Sequence, residues 1–94
     1  LALLHEQIRS LARTVAERLR RRGLSGRTIV LKLTYRNFAH ISRRATLPQA
    51  TDDAEKIALE AQRLLECTEA GVRPVRLLGI GVTTLGTGGR ATVS

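Results

Sequence analysis

The densest group of chemically useful side chains in this 94-residue sequence is the run Ser42-Arg43-Arg44-Ala45-Thr46. Arginine binds phosphate through paired N–H donors, and hydroxyl groups add contacts that fix position. The run therefore predicts a clamp on the phosphates of a nucleic acid. The same residues also suit an edge strand that charge protects against aggregation, and the residues alone leave both interpretations open.

The positive charge of the chain is concentrated in its first half. Sixteen Lys and Arg residues oppose eight Asp and Glu residues, which gives a net charge of +8. Residues 1–50 hold eleven cations and two anions, a net charge of +9, whereas residues 51–94 hold five cations and six anions, a net charge of −1. Such a distribution predicts a polyanionic partner, most often a nucleic acid and sometimes an anionic membrane surface.

Composition excludes several classes of protein. A hydrophobic fraction of 43% is sufficient for one core, and no apolar run approaches the ~20 residues of a transmembrane helix. A single cysteine excludes an internal disulfide framework, and no secretory signal is visible, so we expect a reducing, cytoplasmic setting. The chain begins at Leu1 within a helical pattern, which suggests a domain of a longer protein.

The sequence shows no constellation of catalytic or metal-ligating residues. The run Gly79–Thr84 begins like the dinucleotide-binding motif G-x-G-x-x-G, but it lacks the last glycine and no helix follows it. The pair Asp52-Asp53 is interpreted as the start of a helix. His5, His40 and Cys67 lack the spacing of metal ligands. We therefore predict no catalytic, cofactor-binding or metal-binding residue in this chain.

Two segments have the apolar period of an amphipathic helix. Residues 1–22 carry one apolar stripe, and Gly23 is expected to end this helix in the left-handed conformation. A second helix is predicted to begin at Asp52, which has capping-box spacing to Glu55. Gly71 is expected to close this second helix.

Three segments alternate with the period of a strand. Residues 27–36 and 38–47 are separated by a tight connection and predict an antiparallel hairpin. Arg43 interrupts the apolar alternation of the second strand, which predicts a bulge or a local twist there. The remaining predicted segments are a loop at residues 48–51, a third strand at residues 75–85, and a flexible tail or linker at residues 86–94.

These elements predict an α+β fold with the order α-β-β-α-β, in which both helices pack on one face of an antiparallel or mixed sheet of three strands, as a two-layer sandwich. The other face would be exposed and lined by Thr28, Lys32, Thr34, His40, Ser42, Arg44, Thr46, Gly79, Gly81 and Thr83. Because only 2% of the residues are aromatic, stacking on single-stranded bases is disfavoured, and we expect contacts to the backbone of a duplex. The alternative is a sheet face that only water covers.

Three stretches carry a resemblance to a known family, namely Gly26–Tyr35, Asn37–Pro48 and Pro74–Val82. Together they resemble the little finger domain of Y-family translesion DNA polymerases, of the bacterial DNA polymerase IV type. The resemblance extends from the first helix to about Leu85. It implies a four-stranded sheet, with one further strand before the first helix, that lies along primer–template duplex and contacts phosphates on both sides of the major groove.

The resemblance also implies roles for individual positions. The positions that match phosphate contacts of the family are Lys32, Ser42, Arg43, Thr46 and Arg76, and those that match exposed main-chain amides are Gly79 and Gly81. Arg44 stands where the family often has a small residue, so the resemblance favours Arg43 as the DNA contact, whereas the strand alternation favours Arg44. The complete predicted DNA-binding set is Lys32, Thr34, Arg36, Ser42, Arg43, Arg44, Thr46, Arg76, Gly79, Gly81 and Thr83.

By this resemblance, residues 1–85 form the DNA-binding module of an error-prone translesion DNA polymerase, a cytoplasmic nucleotidyltransferase that acts in DNA repair after DNA damage. The catalytic carboxylates and their Mg²⁺ belong to a palm domain outside this chain, so the chain has no cofactor of its own and should be inactive alone. The implied partners are duplex primer–template DNA and, through the parent protein, the sliding clamp, with no membrane. The alternatives are a free-standing α/β module that docks on a protein through its helices, or one that binds RNA.

Overall fold

Two helices and four strands make up the computed structural model, which describes residues 2–70, 72–86 and 89–93. In chain order the elements are α1 (Ala2–Arg21), β1 (Gly26–Tyr35), β2 (His40–Thr51), α2 (Ala54–Glu66), β3 (Val75–Gly86) and β4 (Gly89–Val93). The predicted α+β class and the order α-β-β-α-β of the first five elements are confirmed.

The fourth strand lies in the segment that the sequence predicted to be a flexible tail or linker. Residues 89–93 pair antiparallel with β3, from Val93 opposite Val82 to Gly89 opposite Gly86. The free edge of β3 offers unpaired backbone groups, and a neighbouring segment with β-branched residues can satisfy them. Glycine and threonine content therefore indicated flexibility where the backbone forms a strand.

The sheet is antiparallel throughout, with the strand order β2-β1-β3-β4. Both helices pack on one face of it, as predicted. The residues that the strands contribute to the buried core are Ile29, Leu31, Leu33, Tyr35, Ile80 and Val82. The helices contribute Ile8, Ala12, Val15, Ala16, Leu19, Ile57, Ala58, Ala61, Leu64 and Leu65.

The end of α1 has the structure that its glycine predicts. Gly23 has a φ of +65°. The amide of Gly23 donates to the carbonyl of Arg20 at 3.1 Å, and the amide of Leu24 donates to the carbonyl of Leu19 at 2.8 Å. This pair of hydrogen bonds is the Schellman motif, which satisfies carbonyl groups of the last helical turn and turns the chain towards β1.

The start of α2 differs by one residue from the prediction. Asp53, and not Asp52, is the N-cap, and its side chain accepts a hydrogen bond from the amide of Glu55 at 3.0 Å. The amide of Asp53 in turn donates to the hydroxyl of Thr51 at 3.0 Å. Thr51 ends β2, so the strand extends further than predicted, and its hydroxyl holds Asp53 at the cap position. The helix ends at Glu66, and Gly71, which was predicted to close it, lies outside the described residues.

The second strand starts and ends later than its alternation predicted. Phe38 and Ala39 precede the strand, and residues 48–51, expected as a loop, continue it to Thr51. Thr51 pairs with Gly26 at the start of β1. Pro48 has no amide hydrogen to donate. It is tolerated within this strand because β2 lies at the edge of the sheet and has a neighbouring strand on one side only.

The bulge predicted at Arg43 is absent. Pairing of β2 with β1 is regular from His40 to Thr46, and Arg43 lies directly opposite Leu31. The register shift occurs instead beyond Thr46, before the strands pair again at their far end. The charged side chain of Arg43 interrupts the apolar alternation of β2. At an edge strand, however, a charged side chain can reach solvent without any change of register.

The last residue of β1 connects the sheet to the segment that follows α2. Tyr35 is 3% exposed, and its hydroxyl accepts a hydrogen bond from the amide of Glu69 at 3.0 Å. The guanidinium of Arg73 lies 4.3 Å from the centre of the Tyr35 ring. In the next residue, the amide of Arg36 donates to the carbonyl of Pro74 at 3.1 Å. These contacts fix the position from which β3 enters the sheet.

Candidate nucleic-acid interface

The face of β1, β2 and β3 that points away from the helices, called here the open face, presents four cross-strand rows. Residues that pair directly across antiparallel strands point to the same face, so the register defines each row. Written in the order β2–β1–β3, the rows are Thr46–Thr28–Thr83, Arg44–Val30–Gly81, Ser42–Lys32–Gly79 and His40–Thr34–Leu77. All ten residues predicted for the exposed face lie in these rows, together with Val30 and Leu77.

Two cations lie in the middle rows of the open face. Lys32 and Arg44 are both exposed, and neither forms an ion pair within the described part of the chain. The ion pairs given by the structure are Arg21–Glu17, Arg63–Glu60 and Arg73–Glu69. Every acidic residue of the sequence lies in α1, in α2 or in the segments that flank α2. The open face is therefore positive, with no carboxylate to neutralise it.

Hydroxyl groups form one end of the open face. The Oγ1 atoms of Thr28 and Thr46 are 3.3 Å apart, and Thr83 pairs with Thr28 on its other side. A threonine hydroxyl can donate one hydrogen bond while it accepts others, so this row has donors available for an anion. This row lies next to the row of Arg44, so hydrogen bonds from its hydroxyl groups would position a phosphate that Arg44 binds through its charge.

Glycines leave β3 without side chains in both middle rows. Gly79 is partly exposed, and a Cβ added there would have the Lys32 Cβ as its nearest neighbour, at 4.0 Å. The surface beside Lys32 is therefore open to a ligand that approaches the main chain. Gly81, which the sequence predicted to be exposed, is buried, because the neighbouring side chains cover so small a residue.

Arg43 and Arg44 point to opposite faces of the edge strand. Arg44 pairs with Val30 and lies on the open face, whereas Arg43 pairs with Leu31, which faces the helices. Arg43 is exposed at the sheet edge, and its guanidinium donates to the carbonyl of Ser42 at 3.0 Å. The structure thus brings Arg44 together with Lys32 and Ser42 and leaves Arg43 on the other side of the strand. This placement agrees with the strand alternation and differs from the resemblance.

Arg76 occupies a bulge at the start of β3. Leu77 pairs with Thr34, but Val75 pairs with Tyr35, so Arg76 is the extra residue between two consecutive pairs. A bulge turns the side chain of its extra residue away from the regular alternation. Strict alternation along β3 would place Arg76 on the helix-covered face. Because Arg76 is the extra residue of the bulge, its side chain does not have to lie on that face.

The turn between β1 and β2 contains a contact that sequence reasoning missed. Phe38 is 63% exposed, and the guanidinium of Arg76 lies 4.6 Å from the centre of its ring. Phe38 has a φ of +68°, a conformation that costs a bulky residue about 1–2 kcal/mol. Arg36 lies exposed in the same turn. The sequence pattern does not indicate this contact, because Phe38 and Arg76 lie far apart along the chain.

Thr34 is buried, although it was predicted to lie exposed on the open face. It is 7% exposed, and its Oγ1 lies 2.9 Å from Nδ1 of His40, its cross-strand partner. The imidazole of His40 thus stands against the hydroxyl of Thr34. Alternation does not predict this burial, because it indicates only the face on which a residue lies.

Two further searches concern other kinds of site. Within residues 2–70, 72–86 and 89–93, no three His, Cys, Asp or Glu side chains come together as ligands for a metal ion. Neither of the described helices combines the length and the apolar character that are needed to cross a membrane.

The fold and the open face define a class of protein. A sheet backed by helices on one side presents cations, hydroxyl groups and bare main chain on the other, which is the arrangement of a module that contacts a polyanion through its backbone. Residues 1–93 match the model of the impB/mucB/samB family C-terminal domain. The chain belongs to this family, and the resemblance to the little finger of Y-family polymerases is confirmed.

Several curated relatives are named DNA polymerase IV. The DNA polymerase IV of Alkalilimnicola ehrlichii is 45% identical over 80 residues, which cover 85% of this chain and 22% of that protein. The DNA polymerase IV of Halorhodospira halophila is 42% identical over 82 residues, with 87% and 23% covered. That of Desulfatibacillum aliphaticivorans is 40% identical over 81 residues, with 86% and 20% covered. The chain thus spans about a fifth of the length of the curated relatives it matches.

Proposed function

We propose that the open face binds the sugar–phosphate backbone of duplex primer–template DNA, as the DNA-binding module of a translesion DNA polymerase. The observation that carries this proposal is the pair Lys32 and Arg44, two exposed cations without ion pairs on a face without carboxylates. Cations at such positions attract phosphates and release the counterions that condense on DNA. The family membership and the names of the relatives support the same assignment.

The chemistry of the open face favours the backbone over the bases. Its rows offer charge, hydroxyl groups and glycine main chain, which contact phosphate and sugar without reading sequence. Direct readout would need side chains that enter a groove on a helix or a ribbon, and binding of single strands would need a series of stacking aromatic residues. A sequence-independent grip on duplex DNA fits a polymerase that must move along its template.

The activity of the parent protein is part of the proposal. We infer that it is a cytoplasmic DNA-directed DNA polymerase of DNA repair, because the relatives at 40–45% identity are named DNA polymerase IV. In this proposal, the carboxylates that hold the catalytic Mg²⁺ belong to its palm domain. The present chain would then supply grip and orientation, and it would not incorporate nucleotides by itself.

Salt dependence of duplex binding tests the proposal. The logarithm of the affinity should fall linearly with the logarithm of the salt concentration, by about 0.9 for each phosphate neutralised. The double variant Lys32→Ala/Arg44→Ala should reduce this slope by about 1.8. The matched control is Arg9→Ala/Arg13→Ala on exposed positions of α1, which removes the same charge from the helical layer.

Two results would contradict the proposal. One is a flat salt dependence of the unchanged chain, and the other is an equal loss of slope in both double variants. A duplex RNA of the same sequence serves as the competitor. If it displaced the DNA at equal concentration, the function would be general duplex binding and not that of a DNA polymerase module.

We propose, as a second role, that the parent polymerase contacts the sliding clamp through the helical layer. The supporting observation is Leu59, which is 59% exposed on α2 in a groove that also includes Leu47 and Pro48. The variant Leu59→Ser should weaken the binding of purified clamp and leave the affinity for duplex DNA unchanged. Clamp binding that Leu59→Ser does not alter would remove this role from the groove.

A further inference from the structure

We infer that Lys32, His40 and Ser42 form one binding pocket for a phosphodiester group, in which the protonated imidazole of His40 supplies a second positive charge. This inference rests on the proposed function, since it assumes that the open face meets DNA. The three residues line the same depression, together with Leu33, Thr34 and Ile41. His40 was not among the residues that the sequence assigned to DNA binding, because a single histidine has no motif.

The register brings the three side chains together. Ser42 pairs directly with Lys32, and His40 pairs with Thr34 in the neighbouring row. Lys32 and His40 are therefore diagonal neighbours, a relation that places α-carbons about 7–8 Å apart. An ammonium group, a hydroxyl and an imidazole at this spacing can all donate to the oxygens of a single phosphate.

Thr34 orients the imidazole ring. Its hydroxyl lies 2.9 Å from Nδ1 of His40 and is buried beneath the open face. A threonine hydroxyl can donate to a bare Nδ1 and accept from a protonated one, so the contact persists in both charge states of the ring. With Nδ1 engaged in this way, Nε2 is the nitrogen that remains for a ligand. Thr34 is therefore a positioning residue, and His40 is the residue that contacts phosphate.

The charges around His40 couple DNA binding to proton uptake. The charged residues on the elements beside it are all cations, namely Arg27 and Lys32 on β1, Arg43 and Arg44 on β2, Arg36 in the turn and Arg76 on β3, and the row neighbour on β3 is the uncharged Leu77. No carboxylate faces the ring from these elements. The anion that best stabilises an imidazolium here is thus the bound phosphate itself. Imidazole gains its proton in the range of about pH 5–8 under ordinary conditions, so affinity should rise as pH falls.

The test measures the affinity of the 94-residue chain for a fluorescein-labelled primer–template duplex at about pH 6 and pH 8 and at several salt concentrations. We expect binding about tenfold tighter at the lower pH, which corresponds to one added charge-assisted hydrogen bond. The salt slope should also become steeper by about 0.9. His40→Gln should remove both effects. The matched control is His5→Gln on α1, the other histidine of the chain, which should retain them.

To test whether Thr34 orients His40, the measurement must be one that a loss of stability does not change, and the pH effect on DNA affinity meets this condition. Thr34→Val should reduce the pH effect on affinity, and Thr34→Ser, which keeps the hydroxyl, should restore it. Circular dichroism establishes that each variant is folded, and His40→Asn replaces His40→Gln if the latter is not. A Thr34→Val variant with lower thermal stability but the full pH effect would show that the hydroxyl supports the fold and does not orient His40.

The outcomes separate this inference from the proposed function. If the unchanged chain binds duplex DNA with a steep salt dependence but equally at both pH values, the pocket is wrong and the open face remains the interface. A pH effect that survives in His40→Gln, or disappears in His5→Gln, also overturns the pocket. If the unchanged chain fails to bind duplex DNA at either pH, the proposed function itself fails.

Discussion

The two faces of the sheet use neighbouring residues of the same strands for opposite purposes. Leu31 is 1% exposed beneath the helices, while the next residue, Lys32, is exposed on the open face. Arg43 and Arg44 divide in the same way on β2. A strand alternates its side chains between faces, so a residue that fills the core and the residue that follows it lie on opposite faces of the sheet.

The two layers also treat charge differently. On the helical layer Arg21 and Arg63 each have a carboxylate within 4 Å at helical spacing, as Glu17 and Glu60. Other helical cations, such as Arg9 and Arg13, have no ion pair in the described part of the chain either, but the open face differs because it carries no Asp or Glu. Total charge is therefore a poor guide to where a polyanion binds. The face of the sheet that carries no acidic residue is a better one, and the predictions that follow test this difference between the faces.

The largest effect is expected from the helix-covered face. Leu31→Ala leaves a cavity in the core and should lower the free energy of unfolding by about 2–5 kcal/mol. The adjacent change Lys32→Ala should leave that free energy nearly unchanged and weaken DNA binding instead. Denaturant unfolding and a DNA titration on the folded protein check the pair, and a loss of stability of the same size in Lys32→Ala would contradict the assignment of the faces.

The arginine pair on β2 tests the comparison within one strand. Arg44→Ala should weaken duplex binding by about 1.5–3 kcal/mol, because it removes a charge-assisted contact on the open face. Arg43→Ala should cost much less, since its guanidinium lies on the other side of the strand. Fluorescence anisotropy at one salt concentration is sufficient. The reverse ranking would favour the position that the family resemblance indicates over the one that the register assigns.

Gly26 and Gly79 differ in the space that is available for an added side chain. A Cβ at Gly26 would meet the Val82 side chain and lie 2.6 Å from the carbonyl oxygen of Thr83, so Gly26→Ala should destabilise the chain by about 1–3 kcal/mol. Gly79→Ala has free space beside Lys32 and should be tolerated in thermal unfolding. The added methyl group at Gly79 should instead weaken DNA binding, and equal stability losses at both positions would refute the contrast.

The smallest effect is expected at the threonine end of the open face. Thr46→Val breaks the contact between the hydroxyls of Thr28 and Thr46, which are 3.3 Å apart. Cross-strand pairs of this kind contribute about 0.2–1 kcal/mol to stability. Thermal unfolding should shift slightly, and duplex affinity should fall less than in Arg44→Ala. A larger loss of affinity than in Arg44→Ala would move the centre of the interface to this end.

The sequence predicted the fold where a pattern was long and local. The apolar stripe of α1 with Gly23, and the alternation from Ile29 to Tyr35, correspond to the observed helix and central strand. These signals arise from burial on one face, which repeats along the chain. The two-layer arrangement follows from them, because a stripe and a strand face must bury each other.

The predictions from sequence are wrong at positions where contacts between distant segments determine the local structure. The cap is Asp53 in place of Asp52 because the Thr51 hydroxyl holds the amide of Asp53, and residues 48–51 form strand because Pro48 is acceptable at a sheet edge. The expected tail became β4 because β3 has an edge to fill. None of these outcomes depends on local propensity, and each depends on which strands become neighbours.

The candidate site shows the same division. Alternation was sufficient to assign Lys32 and Arg44 to one face. The contact of Phe38 with Arg76 and the burial of Thr34 beside His40 depend on side chains that meet across strands. A single sequence carries no signal for such encounters. The DNA-binding roles of these residues remain predictions that the variants above can test.

The hydroxyl of Tyr35 has a consequence for the motions of the molecule. Because this buried group holds the amide of Glu69, the end of the central strand and the connection after α2 must open in the same event. The Glu69 amide lies outside any regular element, yet its exchange with deuterated water should be as slow as that of the strand. The connection after α2 is thereby coupled to the cooperative unfolding of the sheet. The start of β3 should therefore stay in position until the whole sheet unfolds.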